Sequence, residues 1–307
     1  MVLSVCPNPS IDCTMEMEQL VVGRLNRVNN KIVTYSGKAL NAAIGVKRLG
    51  GDSFATGFMY ENEGSLFVSN LDNEGVKNSF VWNKGHVRTN YKIVDNRSML
   101  TEINDKGENV SVENQQKLLS LVETLSPNAS VVIMSGSLPT GVENDYYYKL
   151  AKSVGKSAKI IVDTEGEKLI KALSAGVFMV KPNLRELEQI AGKPLTNKKE
   201  MLESCYSLID KGAENVLLSL GREGAILTDG SNSYYCKSTS VAVNSTVGAG
   251  DSMIAAASVM IEQGAEKQEI LRSAVAAGTA SITTPGTNLF YRDKFEEIYG
   301  KIFVKKA

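Results

Sequence analysis

Short apolar runs at 2–6, 131–134, 160–163, 178–181 and 216–220 carry little polar alternation, the pattern of strands buried on both faces. Between them lie stretches with helical spacing. These are 38–49, closed by Gly50 and Gly51; 113–125, stopped by Pro127; 143–154, closed by Gly155; and 202–211, closed by Gly212. Strand and helix thus take turns, which predicts an α/β fold: a doubly wound, mostly parallel sheet flanked by helices on both faces.

Two stretches, 11–35 and 86–103, break that rhythm. Residues 27–35 and 89–95 alternate like half-exposed antiparallel strands, with 95–98 as a hairpin turn. Neither extends a parallel core comfortably. Together they predict a small β-sheet lid, discontinuous in sequence, over an α/β domain made of 1–10, 36–85 and 104–307. Ile32, Tyr91, Ile93 and Leu100 are candidate apolar residues of that sheet. A few strands with an unpaired edge and an apolar face are marginal in water, so the lid of a second subunit is the expected cover. A homodimer through the lids follows as an expectation, with Arg27 and Arg88 facing the clefts.

Composition narrows the function classes. At 307 residues and 43% hydrophobic content the chain can bury a large core. Lys plus Arg and Asp plus Glu both total 34, so no overall field draws it to nucleic acid or an anionic membrane. Any anion site must be local. Cys6, Cys13, Cys205 and Cys236 show no CxxC spacing, which argues against a zinc ribbon or redox pair and suits reduced thiols in the cytoplasm. His86 is the only histidine and reads as a solvated turn residue, while Trp82 and Tyr146 to Tyr148 read as packing. The first residues lack a basic region or long apolar stretch, and 251–261 is too short to span a bilayer, so neither export nor membrane insertion is expected.

The chemistry concentrates in 244–260, where a glycine-rich turn joins a small-residue helix. The amides of Gly248, Ala249 and Gly250 are the open donors of a helix N-terminus, suited to an anion. Asp251, in the first turn, can take a proton from an attacking hydroxyl while those amides absorb charge on a moving phosphoryl group. The run by itself equally fits a capped, buried helix in which Asp251 stabilises the first turn by roughly 0.3 to 1 kcal/mol.

The segments Asn8-Pro-Ser-Ile-Asp12, Ser36-Gly-Lys-Ala-Leu-Asn41, Arg88-Thr-Asn90, Ser135-Gly-Ser-Leu-Pro139, Lys181-Pro-Asn-Leu-Arg-Glu186, Ser219-Leu-Gly-Arg-Glu-Gly-Ala225 and Gly248-Ala-Gly-Asp251 occur in one order. Together they resemble the ribokinase-like (PfkB) sugar kinases, and most of all the 1-phosphofructokinase and tagatose-6-phosphate kinase branch. That resemblance implies ATP-dependent phosphorylation of a hexose phosphate with magnesium. Fructose-1-phosphate is the first expectation, giving fructose-1,6-bisphosphate, and tagatose-6-phosphate the second. A sugar-phosphate-binding regulator that kept the fold but lost turnover is the rival from another class.

By resemblance Asp251 is the base and Gly248, Ala249 and Gly250 form the anion hole. Asp12, leaving the first strand where open α/β sheets bind ligands, and Asn41 would orient sugar hydroxyls, though a turn aspartate and a helix cap explain them too. Gly37 and Ser135 belong to motifs at the same end. The substrate phosphate calls for cations, with Arg27, Lys38 and Arg88 as candidates and Arg24 as a substitute for Arg27. Asn183 and Glu186, three residues apart on one helical face, suit a magnesium ion's water shell beside the nucleotide; an ordinary Asn cap is the alternative. Lys181 would meet a phosphate. Ser219, Gly221, Glu223 and Gly224 would form the ATP loop, or a plain turn, and Gly278 would pack near adenine or simply against another helix. The family's Gly-Gly-Lys-Gly-x-Asn stands here as Ser36-Gly37-Lys38-Ala39-Leu40-Asn41. If either lost glycine served a positive φ or a close approach, Ser36 or Ala39 strains or crowds the site.

Overall fold

In the computed structural model, which describes residues 1–97, 99–284 and 289–307, the apolar runs become strands. The first half holds β1 (Val2–Cys6), β2 (Ser10–Glu16), β3 (Asn30–Ser36), β4 (Ser53–Asn62), β5 (Lys77–Asn78), β6 (Val81–His86), β7 (Arg88–Val94) and β8 (Leu100–Asn104). The second holds β9 (Val131–Ser135), β10 (Lys159–Asp163), β11 (Val177–Val180), β12 (Ala213–Ser219), β13 (Ala225–Thr228), β14 (Ser233–Cys236) and β15 (Val304–Lys306). The helices are α1 (Lys38–Arg48), α2 (Gly64–Asn73), α3 (Val112–Leu125), α4 (Tyr146–Ser153), α5 (Gly166–Leu173), α6 (Leu184–Ala191), α7 (Lys198–Asp210), α8 (Ala249–Glu262), α9 (Lys267–Ser281) and α10 (Arg292–Tyr299).

The large sheet runs β15-β14-β13-β12-β11-β10-β9-β1-β4-β5, with β6 also on β4. It is parallel from β12 through β5 and antiparallel from β12 to β15. A strand's side chains alternate between faces, so an uninterrupted apolar strand feeds two cores. In β9, Val131 and Ile133 join a cluster with residues of α1, α2, α8 and α9, while Val132 and Met134 join one with α3, α4, α5 and α7. Helices therefore cover both faces, as the alternation of elements predicts. Parallel strands all end on one edge, which collects the residues after β1, β9, β10, β11 and β12 in one place.

A strand that the apolar runs do not reveal is β4. Thr56 and Gly57 interrupt its hydrophobic stretch, and Gly57 is there because a Cβ would lie 1.9 Å from the Cys6 carbonyl oxygen. Helix α4 starts at Tyr146 rather than near Glu143, and α7 starts at Lys198, where Asn197 caps it by accepting from the Glu200 N–H at 3.0 Å.

The second sheet has the order β3-β2-β7-β8. The two lid stretches meet through a parallel pair, β2 with β7, and only the outer pairs are antiparallel. Sequence alternation extends a strand back to Arg27, but β3 begins at Asn30. The Asn26 side chain binds the Val21 amide and the Val21 and Arg24 carbonyls, closing a turn around Gly23 that holds 17–29 out of the sheet. After β7, Asp95 accepts from the Arg97 and Met99 amides at 2.9 and 3.0 Å; Ser98, the last residue of the expected turn, lies outside the described residues. Tyr91 and Leu100 are exposed, Ile32 is half-buried and Ile93 is buried.

Candidate active site

Gly248 adopts φ 81° immediately before α8, a left-handed turn that a side chain would strain. No side chain caps the helix, which leaves its first-turn amides without a side-chain acceptor at the N-cap. Gly250 gives the Lys181 ammonium room, since a Cβ there would sit 3.1 Å from Nζ. Asp251 is buried and accepts from Asn41 Nδ2 at 2.7 Å. Burial pushes its carboxyl up to about 6, although Lys38 and Asn41 both favour the charged form.

Asp163, at the end of β10, organises the surroundings. Lys181 Nζ stands 3.3 Å and Lys38 Nζ 3.5 Å from its oxygens, and Ser135 Oγ donates to it at 3.0 Å. Full burial by itself would raise this carboxyl, but the two ammonium groups and the Ser135 hydroxyl together outweigh it and hold Asp163 below the usual range. Lys38 is correspondingly held above the ordinary lysine value, chiefly by Asp163.

The lid contributes a second acid. Asp12 is buried and accepts from Ser10 Oγ at 3.1 Å, Asn90 Nδ2 at 3.1 Å and Lys92 Nζ at 2.8 Å. Register explains the set: Asp12 lies opposite Asn90 in the parallel pair, and Asn90 and Lys92 share one face of β7. Arg88 spends its donors on the carbonyls of Asn8, Pro9 and Asp105 and on Asn90 Oδ1, tying β7 to the loops that enter and leave the lid.

At the other end, Asn183 Oδ1 accepts from the Glu186 amide and Glu186 Oε2 from the Asn183 amide, both at 2.9 Å, a reciprocal cap on α6. Ser219 is drawn beside it, its amide donating to the Pro182 carbonyl at 3.0 Å. Gly221 and Gly224 both have positive φ, and Glu223 lies exposed in the turn they bracket. A Cβ on Gly224 would sit 1.9 Å from the Cys236 carbonyl oxygen. Gly278 lies in α9 against Met253 and the Ala249 carbonyl of α8, so it permits close helix packing.

The fold thus gathers Ser135, Lys38 and Lys181 around Asp163, with Asp251 close by and Asn41 held on Asp251. Asp12 and Arg88 stand in the adjoining lid, and Gly37 at its root, where a Cβ would meet Cys6 Sγ at 2.8 Å. Arg27 is not brought in; it is exposed in the 17–29 loop. Ser36 and Ala39 are not strained, because Glu63 is the sole non-glycine with positive φ among the described residues. Ser36 ends a strand and Ala39 is buried inside α1. Asp163 and Lys92 are additions. Asp163 carries the strand-end signal that marks Asp12, and Lys92 falls two positions after Asn90 on an alternating strand.

Comparison with known proteins shows the family. The model for pfkB family carbohydrate kinases matches residues 7–294. A 1-phosphofructokinase of Borreliella burgdorferi is 33% identical over 92% of this chain and 91% of its own. A tagatose-6-phosphate kinase of Staphylococcus epidermidis is 32% identical over 99% of both. The structure of phosphofructokinase-2 from Escherichia coli in complex with fructose-6-phosphate superposes with a TM-score of 0.89 at 27% identity, covering 98% of each chain. The chain belongs to the pfkB family of carbohydrate kinases and is an enzyme of that class.

Proposed function

We propose that the protein transfers phosphate from ATP to a hexose phosphate, with fructose-1-phosphate as acceptor and fructose-1,6-bisphosphate as product. The observation that carries this is the buried Asp251 carboxylate, held by Asn41 at the open N-terminus of α8, with Lys38 and Lys181 beside it. Phosphoryl transfer has a loose transition state, so placement and charge matter more than base strength. Asp251 takes the acceptor hydroxyl's proton, and the amides of Gly248, Ala249 and Gly250 with Lys181 face the transferring group. Asp12 orients sugar hydroxyls.

Among the described residues no three His, Cys, Asp or Glu side chains gather as a metal cage. Asn183 and Glu186, hard oxygen donors at the start of α6, fit a magnesium ion that keeps its waters and binds mainly nucleotide phosphate. The ion would neutralise phosphate charge. The Ser219 to Gly224 turn beside that cap supports ATP, and four free, buried cysteines fit a cytoplasmic setting.

A coupled assay with ATP and magnesium across fructose-1-phosphate, tagatose-6-phosphate and fructose-6-phosphate tests the assignment. The highest kcat/KM is expected on fructose-1-phosphate; a preference for tagatose-6-phosphate would select the second reading, which the Staphylococcus relative favours. No turnover on any of the three would defeat the choice of these acceptors.

Arg88→Ala should raise KM for the sugar phosphate about 10- to 100-fold, because beyond its four bonds to the protein the guanidinium has a fifth N–H, on Nη2, and its charge to offer that phosphate, with little change in KM for ATP. It should also lower Tm, because the guanidinium ties Asn8, Pro9 and Asp105 together. A rise in KM for ATP alone would put Arg88 at the wrong end of the cleft.

A further inference from the structure

Ser36 is buried at the end of β3, where the family resemblance has glycine. Its Oγ accepts from Asn41 Nδ2 at 3.2 Å and lies 3.5 Å from Asn41 Oδ1, the nitrogen being the nearer, and that same nitrogen donates to Asp251 Oδ2 at 2.7 Å. An amide nitrogen carries two hydrogens, enough to serve the carboxylate and the hydroxyl together. Turning the amide over would set its carbonyl against the carboxylate oxygen, so the bond to Asp251 is made only in this orientation. Ser36 Oγ then accepts the remaining N–H.

We propose that Ser36 is a positioning residue for phosphoryl transfer: its hydroxyl oxygen holds the Asn41 amide in the orientation that delivers an N–H to Asp251. The proposal rests on the reading of Asp251 as the base. Glycine at 36 offers no acceptor, and the terminal torsion of asparagine is broad, so Asn41 would sample orientations that turn away from the carboxylate. Three elements meet in this chain of bonds, with Ser36 on the lid strand, Asn41 on α1 and Asp251 on α8. Directly across the lid pair from Ser36, Ser10 donates to Asp12, so neighbouring serines at the lid's root each serve one acid of the site. The substitution that costs the family's glycine thereby supplies a bond that glycine cannot make.

The test is the titration of the Asp251 carboxyl, followed by carbon NMR and assigned with Asp251→Asn. Lys38 of α1, Lys181 after β11 and Asp163 of β10 also face Asp251 and stay unchanged throughout. Wild type should titrate near 6. Ser36→Ala should raise the midpoint by about 0.3 to 1 pH unit, the size expected for weakening one hydrogen bond to the charged form. Ser36→Gly should move it the same way, and Ser36→Thr, which keeps the oxygen, should restore it. In an Asn41→Ala background Ser36→Ala should add nothing, because its effect runs through Asn41. The acidic limb of kcat/KM should follow these shifts. A midpoint unmoved in both Ser36→Ala and Ser36→Gly, or an equal shift without Asn41, overturns the proposal. The titration needs no substrate, so absence of turnover on every sugar phosphate would defeat the proposed function and still leave this measurement decisive for Ser36.

Discussion

Asp251→Asn is expected to cut turnover by ~10²- to 10⁴-fold, the usual cost of losing a general base, and to leave a protein at least as stable as the wild type. The two halves have one cause. Asp251 is buried, and desolvation raises its carboxyl from the usual 3.8 to about 6 in the folded protein. Below 3.8 the group is protonated in both folded and unfolded chains and adds nothing to the balance. Between 3.8 and about 6 the folded chain binds the extra proton, so stability falls as pH rises through this window. Above it the charged carboxylate costs the fold about 2 to 3 kcal/mol, which a neutral amide of the same shape avoids. Catalysis runs the other way, since only the deprotonated group accepts a proton, and kcat should climb with pH through about 6. Steady-state rates from pH 5 to 8, with thermal unfolding at pH 7.5, check both halves. Turnover within a few-fold of wild type would reduce Asp251 to a first-turn residue of α8. A large drop in Tm would make the carboxylate structural.

Much of the architecture is legible in the sequence because burial on both faces writes itself as unbroken apolar runs. The strands at 131–135 and 159–163 show this, as does the helix stop at Gly212. Strand β4 escapes because its middle must approach Cys6 so closely that only glycine fits, which breaks the run that would announce it. At the site, Asp251 and the glycines before it are visible because a turn and a carboxylate adjoin in sequence. Asp163 and Lys92 are harder to see. Asp163 acts through Lys38 and Lys181, which only the sheet order brings to it. Lys92 reaches Asp12 through a parallel register between segments 80 residues apart. The start of β3 shows the opposite error, since alternation reads the strand back to Arg27 and cannot reveal that Asn26 folds the chain into a turn before it begins at Asn30. Ser36 reads from sequence as a missing glycine. Its value as an acceptor is defined by Asn41, five residues on, and by Asp251 on a distant helix.

The lid sheet should make the protein a dimer in solution. Its outer strands β3 and β8 are edges, and apolar side chains stand in water along it: Val33 42%, Tyr91 41%, Leu100 49% and Ile103 56% exposed. In the adjoining 17–29 loop Val22 is 92% and Leu25 78% exposed. A four-stranded sheet with open edges and this much uncovered apolar surface is poorly stabilised alone, and a second copy supplies an identical surface and a closed two-fold arrangement. Residues 100 and 103 differ by an odd step on β8, so they project from opposite faces of the sheet. Leu100→Asp and Ile103→Asp, made separately, therefore distinguish which face is covered. The variant on the covered face should weaken association about 10²- to 10³-fold, as expected for an unpaired carboxylate forced into an apolar contact, and the other should behave like wild type. Light scattering across nanomolar to micromolar concentrations reads the outcome. A wild-type monomer at micromolar concentration defeats the lid dimer, and two variants that both dimerise normally place the contact elsewhere on the molecule.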